Sequence, residues 1–124
     1  MKRVYDPPSR QDGRRILVDG LWPRGVSRKS ARIDEWALDL APSTRLRRWF
    51  GHDPARWPEF QKRYRAELRT RPERLVWLAG LARRGRITLI YAARDSDHSN
   101  ARALQRLVAK RLRRRGPRER ATTR

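Results

Sequence analysis

Two short apolar segments that each run directly into a polar turn constrain the fold of this chain most. The first covers residues 16–18 and is followed by a turn at 19–25, and the second covers 87–92 and is followed by a turn at 94–100. An unbroken apolar run of this length is typical of a strand that is covered on both faces. The long segment between the two reads as a helical crossover, which predicts that the two strands are parallel.

The remaining pattern predicts a single α/β domain with a small, mostly parallel sheet flanked by helices, in the order β-β-α-α-α-α-β-α. The domain is expected to cover residues 1–113, and residues 114–124 are expected to form a disordered basic tail. Strands are expected at 2–5, 15–19 and 87–92. Helices are expected at 33–40, at 43–51, from 53 through 68, at 70–85 and from about 97 through 112.

The charge of the chain is strongly positive. Lys and Arg number 33 against 13 Asp and Glu, so the formal net charge is +20. A field of this size attracts polyanions, which makes nucleic acid a candidate partner. The chain has no Cys, so disulfides, thiolate metal sites and a cysteine nucleophile are excluded.

Other classes of protein find no support in the sequence. No apolar signal segment follows Met1, and the longest mostly apolar stretch, 75–82, is too short to span a bilayer. The sequence therefore predicts a cytoplasmic protein with no membrane partner, and it does not indicate an oligomeric state. Phosphate-binding, dinucleotide-binding and serine-hydrolase motifs are absent, and no cofactor is expected.

Each of the two strand exits carries an arginine, Arg24 in the first turn and Arg94 in the second. A guanidinium group can present a fork to a phosphate or a carboxylate. Ligands of open α/β sheets bind at the carboxyl ends of the strands. The sequence therefore predicts a pocket for an anionic small molecule there, with Trp22 and Asn100 as further ligand contacts.

The same turns hold the only plausible catalytic bases, which are Asp19, Asp95 and His98. Asp19 could act in catalysis or orient Arg24, or it could form an ion pair with Arg24 that fixes the loop. Asp95 could instead cap the last helix. His98, placed in the first turn of that helix, could be a base, a ligand donor or a surface residue.

The second histidine, His52, is predicted to be a turn residue unless the fold brings it beside Arg24 and Arg94. A metal site would need His52, His98 and a carboxylate to converge, and no ligand spacing in the sequence supports this. No metal is therefore expected.

Several motifs together resemble a known family. They are residues 3–6, the stretch Leu-Trp-Pro-Arg-Gly at 21–25 with the strand before it, 41–43, 46–53, 60–68 and 91–95. The chain is similar, over about residues 2–112, to YeaO-like members of the domain of unknown function 488 family. The resemblance implies a small bacterial α/β protein and does not imply a reaction.

Two departures from the family pattern bear on the site. Gly20 stands where the family usually has Arg, so a cationic contact is absent there or is supplied by Arg24. Longer relatives carry Cys-His-Arg after the last strand, whereas this chain has Ser99-Asn100-Ala101, so any thiol chemistry of those relatives is lost. Three functions stay open: binding of an anionic small ligand, binding of nucleic acid through the basic surface and tail, and a hydrolase or transferase activity at the same pocket.

Overall fold

A computed structural model describes the backbone of residues 1–122 and the side chains of residues 1–114. Four parallel strands form one sheet in the order β1-β4-β2-β3. Their bounds are β1 (Lys2–Arg3), β2 (Arg14–Leu17), β3 (Glu35–Trp36) and β4 (Ile87–Tyr91). The prediction of an α/β fold with parallel β2 and β4 is confirmed, and Ile16 pairs with Leu89 in their register.

Five helices connect and cover the strands: α1 (Arg28–Ala31), α2 (Thr44–Phe50), α3 (Trp57–Arg69), α4 (Pro72–Arg84) and α5 (Asn100–Thr122). Short 3-10 turns lie at Arg10–Asp12, Leu38–Leu40, Pro54–Arg56 and Ser96–His98. No helix in the described part of the chain is long and apolar enough to cross a membrane.

The sheet has apolar side chains on both faces, as the continuous strands predict. Ile16 and Val18 belong to the larger core, which packs against α2, α3, α4 and α5, while Leu17 belongs to a smaller core on the opposite face. Side chains alternate across a strand, so neighbouring residues of one run enter different cores. The larger core leaves Phe60 and Tyr64 of α3 almost inaccessible.

The helix predicted at 33–40 is wrong. Residues 35–36 form β3, which pairs with β2, and a 3-10 turn follows at 38–40. Ile33 and Trp36 pack in the smaller core, whereas Ala37 and Leu40 belong to the buried residues of the protein's interior. Sheet pairing therefore overrides a helical spacing that four residues produced by chance.

The predicted helix ends hold only in part. The Ser43 side chain accepts from the Leu46 amide and Gly51 closes α2 in a left-handed conformation, as expected. The helix expected at 70–85 forms as α4 without a side-chain cap, because the Thr70 hydroxyl donates to the Glu67 carbonyl. Nor does α5 begin near residue 97: Ser99 caps it by accepting from the Arg102 amide.

The predicted disordered tail, 114–124, stays a prediction. The assigned helix α5 runs to Thr122, but the side chains from residue 115 onward lie outside the described residues.

Candidate functional site

An open cleft of about 740 Å³ lies where β2 and β4 end. Its walls come from the turns that follow these two strands, from α2 and the turn after it, and from the start of α5. The residues that line it are Asp19, Gly20, Leu21, Trp22, Pro23, Arg24, Pro42, Arg47, Phe50, His52, Phe60, Ala92, Ala93, Arg94, Asp95, His98, Ser99 and Asn100.

The cleft brings together every residue that the sequence proposed for a site. The four predicted ligand contacts, Trp22, Arg24, Arg94 and Asn100, all line it, and so do the three candidate bases. The two turns are far apart in sequence, but their strands are hydrogen-bonded neighbours in the sheet. Parallel strands end at the same edge, which is why the two polar exits meet.

Asp19 forms part of the cleft wall, and its carboxylate is hydrogen-bonded to the backbone. Its carboxylate accepts a hydrogen bond of 2.9 Å from the amide of Ala92, the first residue after β4. Burial raises the pKa of Asp19, and the Ala92 amide, the Asn100 side chain and the charges of His52 and Arg47 partly offset that rise. Within residues 1–114, Asp19 makes no ion pair with Arg24, and whether it orients Arg24 or acts in catalysis stays a prediction.

Asn100 ties the start of α5 to β2. Its amide nitrogen donates to the Val18 carbonyl at 2.9 Å. Nearby, the buried hydroxyl of Tyr64 donates to the Leu40 carbonyl. Burial, with the charges of Asp19 and Glu67, raises the pKa of Tyr64 well above its ordinary range. The Asn100 bond therefore fixes the start of α5 against β2 at the edge of the cleft.

Asp95 and His98 form a pair in the turn after β4, where both line the cleft. The Asp95 carboxylate lies 2.7 Å from His98 Nδ1 and also accepts from the His98 amide, capping the 3-10 turn at 96–98. The hydrogen bond from His98 lowers the pKa of Asp95. The His98 ring meets Trp57 edge to face at 5.3 Å. The sequence predicts His98 in the first turn of the last helix, and this is wrong, because His98 precedes α5.

The turn after β2 is held in place by its own contacts. The Trp22 indole donates to the Val26 carbonyl at 2.7 Å and packs edge to face against Trp36. The Tyr5 hydroxyl donates to the Arg24 carbonyl at 3.1 Å. These bonds fix the backbone that carries Arg24, while the Arg24 side chain remains exposed.

Two basic residues of the cleft are not fixed by the sequence pattern: Arg47 was not proposed, and His52 was predicted to be a turn residue unless the fold brought it beside Arg24 and Arg94, with which it shares this cleft. Arg47 belongs to α2, and His52 follows Gly51 in the turn that closes this helix, with a positive φ of 57°. The sequence signal for Arg47 is its place beside the buried Leu46 and Phe50, which puts it at the border of the apolar stripe. Only the packing of α2 against the sheet edge reveals which site it faces.

Arg24, Arg47 and Arg94 leave the cleft with excess positive charge. Within residues 1–114, none of their guanidinium groups makes an ion pair or donates a hydrogen bond to a protein acceptor. The carboxylates of the cleft are engaged elsewhere, Asp19 with the backbone and Asp95 with His98. The described residues contain no cluster of three or more side chains suited to hold a metal ion.

Comparisons with known proteins agree with this architecture. Residues 1–123 match the family model described as the inactive DUF488-N3 subclade. The chain is 40% identical over 100 residues to the uncharacterised protein YeaO of Escherichia coli, a match that covers 81% of this chain and 87% of YeaO. It is 39% identical over 106 residues to an uncharacterised protein of Mycobacterium tuberculosis, covering 86% of this chain and 89% of that protein.

No solved structure matches the chain. The family match spans nearly the whole sequence, and the relatives are matched over most of their own length. The chain therefore belongs to the domain of unknown function 488 family, as a YeaO-like member.

Proposed function

We propose that this protein binds a phosphate-bearing or similarly anionic small ligand in the cleft at the ends of β2 and β4, in the cytoplasm and without converting it. The observation that carries the proposal is the set of guanidinium groups on Arg24, Arg47 and Arg94, which line one cleft and, within residues 1–114, make no ion pair and donate no hydrogen bond. Arginine side chains recognise phosphates and carboxylates through paired N–H donors.

The start of α5 supports the same proposal. Ser99 and Asn100 line the cleft at the first turn of this helix, where the partial positive charge of the helix dipole favours an anion. The helix and the arginines act in the same direction, since both lower the free energy of a bound negative charge.

Binding without turnover is supported by the state of the candidate bases. Asp19 and Asp95 are each held by hydrogen bonds within the protein, Asp19 by the Ala92 amide and Asp95 by His98. The word "inactive" in the description of the subclade points the same way. A hydrolase or transferase activity through Asp19, Asp95 and His98 is the alternative, and the observation in its favour is the burial that raises the pKa of Asp19.

The proposal is tested by titrating inorganic phosphate and methylphosphonate into the full chain and following ¹H–¹⁵N NMR spectra. We expect Arg24→Ala and Arg94→Ala each to weaken binding at least about tenfold, because each removes a charge-assisted contact. Both side chains are exposed, so the variants should fold. Arg48→Ala is the matched control, because Arg48 is an exposed neighbour of Arg47 on α2 that does not line the cleft.

Two results would overturn the proposal. One is full retention of binding in both variants. The other is an equal loss in Arg48→Ala, which would mean that phosphate responds to the overall charge of the protein and not to the cleft.

Nucleic-acid binding is a second candidate function, supported by the net charge of +20. The outward face of α3 adds exposed Lys62, Arg63, Arg65 and Arg69. The Trp49 ring, which could have stacked on a base, instead packs against the guanidinium groups of Arg56 and Arg63. The basic surface therefore favours contacts with phosphates over contacts with bases.

A further inference from the structure

The cleft is larger and more apolar than an inorganic anion requires. Its volume of about 740 Å³ falls within the range of roughly 300–1,000 Å³ that is typical of sites for drug-sized molecules. Apolar side chains form much of its lining, namely Leu21, Trp22, Pro23, Pro42, Phe50, Phe60, Ala92 and Ala93. The arginines would bind the charged head group of a ligand. An inorganic anion would leave the apolar surface of the cleft without a ligand contact.

Leu21 is the most exposed of the large apolar side chains, with 61% of its surface accessible. It lies next to Trp22, whose indole is tied to the Val26 carbonyl. On the other side of Leu21, the Asp19 carbonyl accepts a hydrogen bond of 2.9 Å from the Trp36 indole. The bonds on either side indicate that the exposure of Leu21 belongs to the folded turn and is not the result of a loose loop.

Phe50 and Phe60 also line the cleft, but unlike Leu21 their side chains are buried. Their rings stack on each other at 4.3 Å and are buried, so they can offer only an edge to the cleft. Leu21 is exposed and Trp22 is half-buried, packed against Trp36 and below the Arg28 guanidinium. Leu21 therefore offers the largest apolar surface to a ligand, with smaller contributions from Trp22 and the half-buried Ala92 and Ala93.

We propose that the ligand of this cleft is a phosphate or phosphonate carrying an apolar, ring-sized body, with its charged head at the arginines and its body against Leu21 and Trp22. This inference rests on the proposed anion-binding function and names the class of ligand for the same site. Charge complementarity selects the head group, and burial of apolar surface selects the body.

Two probes with the same head group test the inference: methylphosphonate and phenylphosphonate, titrated into the full chain by NMR. We expect phenylphosphonate to bind at least about tenfold more tightly, because its ring buries apolar surface that a methyl group cannot. Leu21→Ser should remove most of that difference between the two probes, because it replaces the exposed apolar side chain of the cleft with a polar one. Val76→Ser, at an exposed apolar residue of α4 outside the cleft, should change neither.

The outcomes separate this inference from the function on which it rests. If methylphosphonate binds through Arg24 but phenylphosphonate binds no more tightly, the apolar body is wrong and anion binding stands. The same conclusion follows if Leu21→Ser still binds phenylphosphonate more tightly than methylphosphonate by the full wild-type ratio. If neither probe binds, or if binding is insensitive to Arg24→Ala, the anion site itself is wrong.

Discussion

Gly13 is the glycine at which a side chain would be least tolerated. It adopts a φ of +65°, and a Cβ atom built on it would lie 2.1 Å from the carbonyl oxygen of Arg86. That carbonyl accepts a hydrogen bond from the Arg14 amide at the start of β2, so it cannot shift without disturbing the sheet. We expect Gly13→Ala to lower the free energy of unfolding by about 3 kcal/mol or more, measured by urea denaturation.

Gly25 supplies the control for this prediction. It has a similar positive φ of 76°, but nothing lies within 4 Å of a Cβ atom built there. Gly25→Ala therefore tests the backbone strain alone, which costs about 1–2 kcal/mol. Equal losses in the two variants would show that the approach to Arg86 contributes nothing.

The side chains of the cleft divide into those that local sequence can place and those that it cannot. Arg24 and Arg94 lie in the turns that follow β2 and β4, so the rule that parallel strands end at one edge is enough to bring them together. Arg47 and His52 reach the cleft only because α2 packs over that edge. The partner of Asp19 could not be predicted either, because Ala92 is joined to it through sheet register and not through sequence spacing.

At the scale of elements, Asp12 connects two strands and a turn through one carboxylate. It accepts hydrogen bonds from Lys2 in β1, from the Ser9 amide and, at 2.6 Å, from Arg15 in β2. Arg15 is only 3% exposed and donates onward to the Ala31 carbonyl at the end of α1. Without Asp12, the Arg15 charge would be buried without a counter-ion.

We expect Asp12→Asn to lower the free energy of unfolding at neutral pH by about 3 kcal/mol, the usual cost of removing one partner of a buried ion pair. Burial alone would raise the pKa of Asp12, but the hydrogen bonds from Ser9, Lys2 and Arg15 bring it below its ordinary value of 3.8. A lowered pKa in the folded state stabilises the protein above pH 3.8, and that contribution is lost as the pH falls through the folded value.

The stability gap between the wild type and Asp12→Asn should therefore be constant near neutral pH and should narrow below about pH 4. Unfolding in urea across this range measures it. Asp97→Asn is the control, because the Asp97 side chain is 77% exposed and its ion pair with Arg102 is long, at 3.4 Å. A gap that widens in acid would contradict the role given to Asp12.

Elements differ in how far their own sequence determines them. The pattern of α3 is long enough that most of the helix expected from 53 through 68 forms, with a buried stripe from Trp57 to Leu68. β3 has only two residues, too few for any periodicity, and it exists because Leu17 and Trp36 pair in the sheet. Its formation is a property of the assembled sheet, so the local spacing at 33–40 indicated a helix that does not form.

At the scale of the whole molecule, the charge of +20 and the cleft make separate predictions. Basic residues are spread over the sequence, and the cleft holds only three of the 33 Lys and Arg. We expect the full chain to bind short DNA at low salt, and we expect its affinity to fall steeply as the salt concentration rises. The logarithm of the affinity should fall by about 0.9 per phosphate contacted for each unit in the logarithm of salt concentration.

Fluorescence anisotropy at low and at physiological salt measures this dependence, with the double variant Arg24→Ala/Arg94→Ala as the comparison. If the attraction comes from the whole surface, the double variant should bind DNA nearly as well as the wild type while losing methylphosphonate. DNA binding that persists at physiological salt and disappears in the double variant would instead make nucleic acid the ligand of the cleft. A dispersed charge and a focused site thus predict opposite responses to the same two substitutions.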